Sequence, residues 1–338
     1  MKWRTAPAIR HQGFALVLVL WMLSLLTIMA GSFALGMRRE SSIIAGVKNN
    51  AQAAAVAESG IAIAELMLLN PDQNKRWRAD GSVYLIDDAA VLGSDHAEVR
   101  VRLLSETGKI DLNKADQKLL AGLLAQSPVE DEQQQGKLVG AILDWRDEDD
   151  QLSIDGAEQK EYKEAGLSYQ PRNKPFQTVD ELQLVLGMGG TVYEWLAPLV
   201  TVYSGQANVD VQQASKDVLQ VLPDVDTSLI NDYVAARLES ATNGLPAPPS
   251  PFGVGQGGSA RQVQGQQSAG AITIVSEALL EDGSRAMIRA VIKSGGSAQN
   301  GQPFQMLEWQ RNTASDGSLF ADTIGASAIN ELLVQTIK

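Results

Sequence analysis

The chain has no cysteine and only two histidines, His11 and His96, in 338 residues. Disulfides and thiolate metal centres are therefore excluded. A histidine zinc centre or a Ser-His-Asp triad would rest on His96 alone, because His11 lies in the basic N-terminal leader. Positive charge is also scarce: 28 Lys and Arg face 40 Asp and Glu, a formal net charge of −12. A body of that sign repels phosphate backbones, which argues against nucleic acid as the main partner. Hydrophobic residues are not scarce. At 44% they exclude global disorder, and the length suits two ordinary domains or one large domain with insertions.

Charge is missing altogether from Phe14 to Leu35, 22 residues that would span about 33 Å as a helix, enough for a bilayer core. The apolar region of a cleavable signal peptide is shorter. Lys2, Arg4 and Arg10 precede the run and favour a cytoplasmic N-terminus, while Arg38 and Arg39 beyond it are partly offset by Glu40. Proline is missing from Arg38 to Leu69, where Ala, Glu, Leu and Met predominate. These features predict one helix of more than fifty residues, ended by Asn70-Pro71. Its second half carries a stripe through Val47, Ala51, Ala54, Ile61 and Leu68.

Beyond the helix, Ser82 to Glu106 reads as strands, with Val99, Val101 and Leu103 alternating against Arg100, Arg102 and Leu104. Ala271 to Lys293 reads as a hairpin turning at Glu281-Asp282-Gly283, and Phe304 to Gln310 as a third strand. Between these pieces lies a helical stretch with a weak repeat, Ile110–Ala115 against Val209–Ala214. The turn LGMGG, Leu186 to Gly190, resembles a helix-hairpin-helix turn. The expected fold is α+β, a sheet interrupted by a large all-α insertion. The expected divisions are a leader (1–13), a membrane half-helix (14–36), a second half-helix with the first strands (37–112), the insertion (113–243), a Gly/Pro/Ser/Gln-rich disordered linker (244–270) and the last strands (271–338).

From Asp144 to Glu164 nine carboxylates stand against three basic residues. One reading is a solvated acidic face. The other is a hard-cation site, since calcium takes six to eight oxygens and crowded carboxylates supply them. Asp147, Asp149 and Glu158 fall at positions one, three and twelve of an EF-hand count, but position six is Leu152, so an EF-hand itself is not expected. Asp150 and Glu161 are further candidate ligands. Asp147 and Glu158 also have the composition of a glycosidase acid/base pair, without a recognisable sugar site around them.

A basic leader ending in Gly13, then Phe14 and a long apolar helix that grades into an amphipathic one, resembles the type IV prepilins and pseudopilins. The match is sharpened by Asp-Trp-x-Asp-x-Asp-Asp (Asp144–Asp150), Gly156-Ala157-Glu158 with Tyr162, PFQTVDEL (Pro175–Leu182) and LAPLVTVYS (Leu196–Ser204). Together these resemble the large minor pseudopilins of type II secretion, the subunit K family. The resemblance implies a type IV pilin-like fold with an inserted helical domain. It implies cleavage between Gly13 and Phe14 by a prepilin peptidase, and N-methylation of Phe14. It implies calcium in the insertion, a periplasmic body on a single inner-membrane span, and no enzymatic activity. The partners it implies are two other minor pseudopilins in a tip heterotrimer and the inner-membrane secretion platform. Most pseudopilins carry glutamate at the fifth mature position, where this chain has Leu18. That glutamate is thought to pair with the N-terminal amine of the subunit ahead, so its loss suits a subunit with none ahead of it. The competing identities are a type IV pilus-type minor pilin and a membrane-anchored helix-hairpin-helix DNA-binding protein.

Overall fold

A computed structural model describes residues 12–88, 92, 97–223, 225–252, 270–295, 303–311 and 317–320. The leader residues 1–11, including His11, lie outside this set, as do His96, residues 253–269 and residues 321–338.

Helix α1 runs Gln12–Leu68 without a break. Residues 1–52 and 53–338 form separate units. In the first unit the apolar side chains from Phe14 to Leu35 are exposed on every face, and among the described residues this is the one helix long and apolar enough to cross a membrane. Its polar side chains return to their own backbone: the Ser24 hydroxyl donates to the Leu20 carbonyl at 2.9 Å and Thr27 to Leu23 at 2.8 Å. A hydroxyl satisfied in this way adds little cost to burial in hydrocarbon.

In the second unit, Ala53, Val56, Ala57, Gly60, Ile61, Ala64, Met67 and Leu68 of α1 are buried. The expected stripe is thus partly corrected: Ile61 and Leu68 lie inside, Ala54 is half-buried, and Val47 and Ala51 are exposed. Val47 and Ala51 lie before Ala53, where burial of the helix begins, so the stripe is covered only over its second part. The buried face is built of small residues, and this lets the sheet approach closely. A Cβ on Gly60 would fall 2.2 Å from Ser276 Oγ and 2.8 Å from Val99 Cγ1.

The sheet has five antiparallel strands in the order β1-β2-β5-β6-β7. These are β1 Asp80–Ile86, β2 Ala97–Ser105, β5 Ala271–Leu280, β6 Arg285–Ser294 and β7 Phe304–Arg311. Val99, Val101 and Leu103 are fully buried toward α1, as their alternation predicts. The β5–β6 turn is closed at Gly283, whose φ of 85° suits glycine. Strand β2 pairs with β5 over nine positions, from Ala97↔Leu280 to Ser105↔Ile272, although the whole insertion lies between them in sequence.

That insertion has its own core, which includes Leu120, Leu123, Leu124, Ile142, Tyr162, Leu182, Leu196 and Leu219. Its elements are β3 Ile110–Asp111, α2 Gln117–Leu124, α3 Glu132–Arg146, α4 Gln159–Glu164, a 3-10 turn Val179–Leu184, α5 Gly190–Leu196, β4 Val200–Thr201, α6 Lys216–Val221 and α7 Thr227–Thr242. The repeat suggested by the sequence is a real structural duplication. In each copy a turn aspartate accepts the backbone N–H two residues on: Asp111 from Asn113 at 2.8 Å, Asp210 from Gln212 at 3.0 Å. A capped short helix and a capped long helix follow, with caps Asp116 and Asp131 in one copy and Ser215 and Asp226 in the other. An arginine of each long helix then reaches back to the turn carbonyls. Arg146 donates to Leu112 and, at 2.6 Å, to Ala115; Arg237 donates to Gln212 at 3.2 Å and Ala214 at 2.8 Å. One expectation is overturned at residues 245–252, the start of the expected disordered linker. Arg78 donates to the Leu245 carbonyl, and Phe252 is buried edge-on against Tyr233 with ring centroids 5.4 Å apart. A single aromatic anchor outweighs the Pro/Gly composition around it.

Candidate metal centre

The acidic stretch begins inside α3 and ends at the N-terminus of α4. Asp144 lies on the buried face of α3 with no exposure, and Asp147 caps the helix three residues on. The loop 148–157 then folds back over α3, where two glycines make room for it. A Cβ on Gly140 would meet the Gly156 nitrogen at 2.6 Å, and one on Gly156 would meet Asp144 Oδ2 at 2.0 Å. The folded loop gives Asp144 only one described hydrogen-bond donor, the Ser153 N–H at 3.2 and 3.3 Å from its two oxygens. Glu158, 7% exposed, enters from the α4 side.

Two oxygens in this cluster, Asp147 Oδ1 and Glu158 Oε1, are buried and accept no hydrogen bond. Burial raises the Asp147 carboxyl to about 6, with Asp144 and Asp149 adding repulsion. Burial likewise raises Glu158 to about 7, with Asp144 and Asp147 the next contributors. Crowded, partly buried carboxylates repel one another, and the attraction of Arg146 for Asp147 does not offset burial and that repulsion. The donor chemistry is that of a hard-cation site: carboxylate oxygens, two of them without a hydrogen-bond partner. Among the described residues, however, no three of these groups form a ready-made coordination shell.

Of the residues named from sequence, Asp147 and Glu158 point to the cluster, while the other three take part in hydrogen bonds that shape the loop. Asp149 accepts the Gln151 N–H at 2.9 Å, and Asp150 accepts the Asn173 amide at 2.8 Å. The same amide donates to the Asp149 carbonyl, and Asn173 adopts a positive φ of 50° to do so. Glu161 accepts the Glu158 N–H at 3.0 Å and completes a capping box on α4. Asp144 was missed. Its signal is its phase: it lies three residues before Asp147, on the helix face that also carries Ala141 and Trp145. The second copy of the duplicated unit has no equivalent, since Ala235 and Leu238 stand where Asp144 and Asp147 stand relative to the clamping arginine.

The loop is backed by aromatic residues. Trp145 packs on Tyr162 and Phe176, each at 6.2 Å between centroids, and the Leu186 N–H donates to the Tyr162 hydroxyl at 2.9 Å. This anchors the LGMGG turn, in which Gly187 has φ 85° and Gly189 caps α5. The turn's neighbours are acidic. Asp180 accepts from the Tyr193 hydroxyl, and Glu181 pairs with Arg172 at 2.9 Å. Arg172 is thus already engaged, and the hairpin serves as a packing element.

A long N-terminal helix without charge from Phe14 to Leu35, an antiparallel sheet against its second half and a helical insertion between adjacent strands define a membrane-anchored, pilin-like subunit. The model of the family "Type II secretion system (T2SS), protein K" matches residues 100–205. The chain is 26% identical over 225 residues to the type II secretion system protein K of Klebsiella pneumoniae, covering 62% of this chain and 69% of that protein. It is 28% identical over 243 residues to the protein K of Pseudomonas aeruginosa, covering 67% and 72%. It is 36% identical over 73 residues to that of Dickeya chrysanthemi, covering 22% and 20%. The GspK chain in the crystal structure of the GspK-GspI-GspJ complex from enterotoxigenic Escherichia coli is similar at 15% identity and TM-score 0.44, covering 82% of this chain and 99% of that one. The chain is thus similar to the type II secretion system protein K family, through the family model over residues 100–205 and through relatives of that name over about two thirds of its length.

Proposed function

We propose that the chain is a minor pseudopilin of type II secretion that stands at the tip of the pseudopilus and helps initiate its assembly. The observation that carries the reading is Leu18. The fifth position after the Gly13/Phe14 junction is apolar, in a run without charge from Phe14 to Leu35. A subunit inside the filament would lose a carboxylate handle on the subunit ahead, whereas the first subunit loses nothing. In this reading a prepilin peptidase cuts between Gly13 and Phe14, and Phe14 is methylated. The N-terminus starts in the cytoplasm, the body is periplasmic, and the first half of α1 passes from the inner membrane into the filament. The partners are two other minor pseudopilins and the inner-membrane platform, and the role is structural, not enzymatic.

The insertion in this reading is a calcium-dependent cap. Asp144, Asp147 and Glu158 hold the ion, and Asp149, Asp150 and Glu161 shape the loop around it. The orphaned oxygens of Asp147 and Glu158 are the support for it. The bound ion supplies positive charge to carboxylates that otherwise repel. The reading is tested by intact-mass and N-terminal analysis of the chain co-expressed with a prepilin peptidase. The expected product begins at N-methylated Phe14. An uncut chain, or a cut near Ala30 to Leu35, would contradict it.

A further inference from the structure

The sheet and the insertion meet around one buried carboxylate. Glu106 and Lys109, in the turn leaving β2, are 2% and 4% exposed. Lys109 Nζ donates to Glu106 Oε1 at 2.6 Å, and the Thr273 hydroxyl of β5 donates to the same oxygen at 2.6 Å. The other oxygen accepts the Thr201 hydroxyl from β4 of the insertion. Burial opposes the charge on Glu106, but Lys109 and the two hydroxyls outweigh it and hold the carboxyl below its usual range. The turn is enclosed further by the Asp210 N–H, which donates to the Thr107 carbonyl at 2.8 Å. Gly108 presses against Gln213, whose carbonyl oxygen would lie 2.4 Å from a Cβ there. A second bridge runs from the insertion to β7, where the Tyr203 hydroxyl donates to Glu308 Oε2 at 3.0 Å.

We propose that the Glu106–Lys109 ion pair, with Thr201 and Thr273, is the joint that fixes the orientation of the insertion on the sheet, so that the two move as one rigid body. A carboxylate with both oxygens engaged by a sheet strand, an insertion strand and its own turn has a narrow choice of geometry. Swinging the insertion would leave a buried ion pair short of partners, which is strongly disfavoured. A hydrophobic contact of the same area would tolerate sliding, because burial is non-directional. The inference does not depend on the tip assignment or on a bound cation.

The chain has no cysteine, so spin labels can be placed at Gln134→Cys on α3 and Ser294→Cys on β6 without background. The expected result for the otherwise native full chain in detergent is one narrow distance and one thermal transition. Glu106→Gln, which removes the carboxylate charge and leaves the buried Lys109 without its counter-ion, and Thr273→Val, which removes one hydroxyl, should each broaden the distance distribution. Glu106→Gln should also split the transition in two. Unchanged distances in both variants would overturn the proposal. If Glu106→Gln fails to fold, Thr273→Val decides: a distribution as narrow as the native one would refute the joint.

Discussion

Replacing Asp147 by Asn should make the protein more stable in a chelator and less stable in calcium. In the folded chain Asp147 and Glu158 bind protons up to about pH 6 and 7, while in an unfolded chain carboxyls release them near pH 4. Between those limits the folded state holds more protons, so stability in a chelator falls as pH rises through the window. An amide at this position cannot ionise, and it removes one repulsive charge from beside Asp144 and Glu158. In calcium the order reverses. An ion present at a hundred times its dissociation constant stabilises the folded state by about 2.7 kcal/mol. For a body of this size that raises the melting temperature by roughly 5–10 °C. The shift should be large at pH 8, where the ligands are ionised, and small at pH 5, where protons compete. The assay is thermal unfolding of the full chain in detergent, with calcium or chelator, at both pH values. Identical melting in calcium and chelator at pH 8 would refute the metal centre. Stability in chelator that rises with pH would refute the assignment of raised carboxyls.

Other outcomes can be stated more briefly. Leu18→Glu should leave peptidase cleavage intact but lower secretion; unimpaired secretion would remove the argument from the missing charge. Gly60→Val should destabilise by about 1–3 kcal/mol in chemical denaturation, because the added atoms meet Val99 and Ser276 in a packed layer. Arg146→Met should strip the turn carbonyls of Leu112 and Ala115 of their donor and cost about 1–3 kcal/mol. In calcium it should also disturb the neighbouring acid cluster, whereas Arg237→Met, in the copy without acids, should leave the calcium shift intact.

Periodicity made the sheet legible. Val99, Val101 and Leu103 face the core, and the hairpin turn sits at Gly283. The duplication was legible from six residues, because its turn aspartate and helix caps are local. What escaped notice was set by close approach. Asp144 reads as an ordinary helix residue until Gly140 and Gly156 bring the loop over it. Glu161 looks like a ligand, but its carboxylate is taken by a backbone N–H three residues away. Glu106 and Lys109 went unremarked in the sequence and are almost completely buried, since their partners Thr201 and Thr273 come from far along the chain. Phe252 was hidden by the composition around it.

The pairing of Ser105 with Ile272 has a consequence for how the insertion is carried. The chain leaves the sheet and returns to it one strand spacing away, about 5 Å. A short hairpin turn could bridge that gap without moving a strand, so the helical domain is a graft on an intact scaffold. Such a port accepts inserts of different size, because the pairing of β2 with β5 does not depend on the length of chain between them.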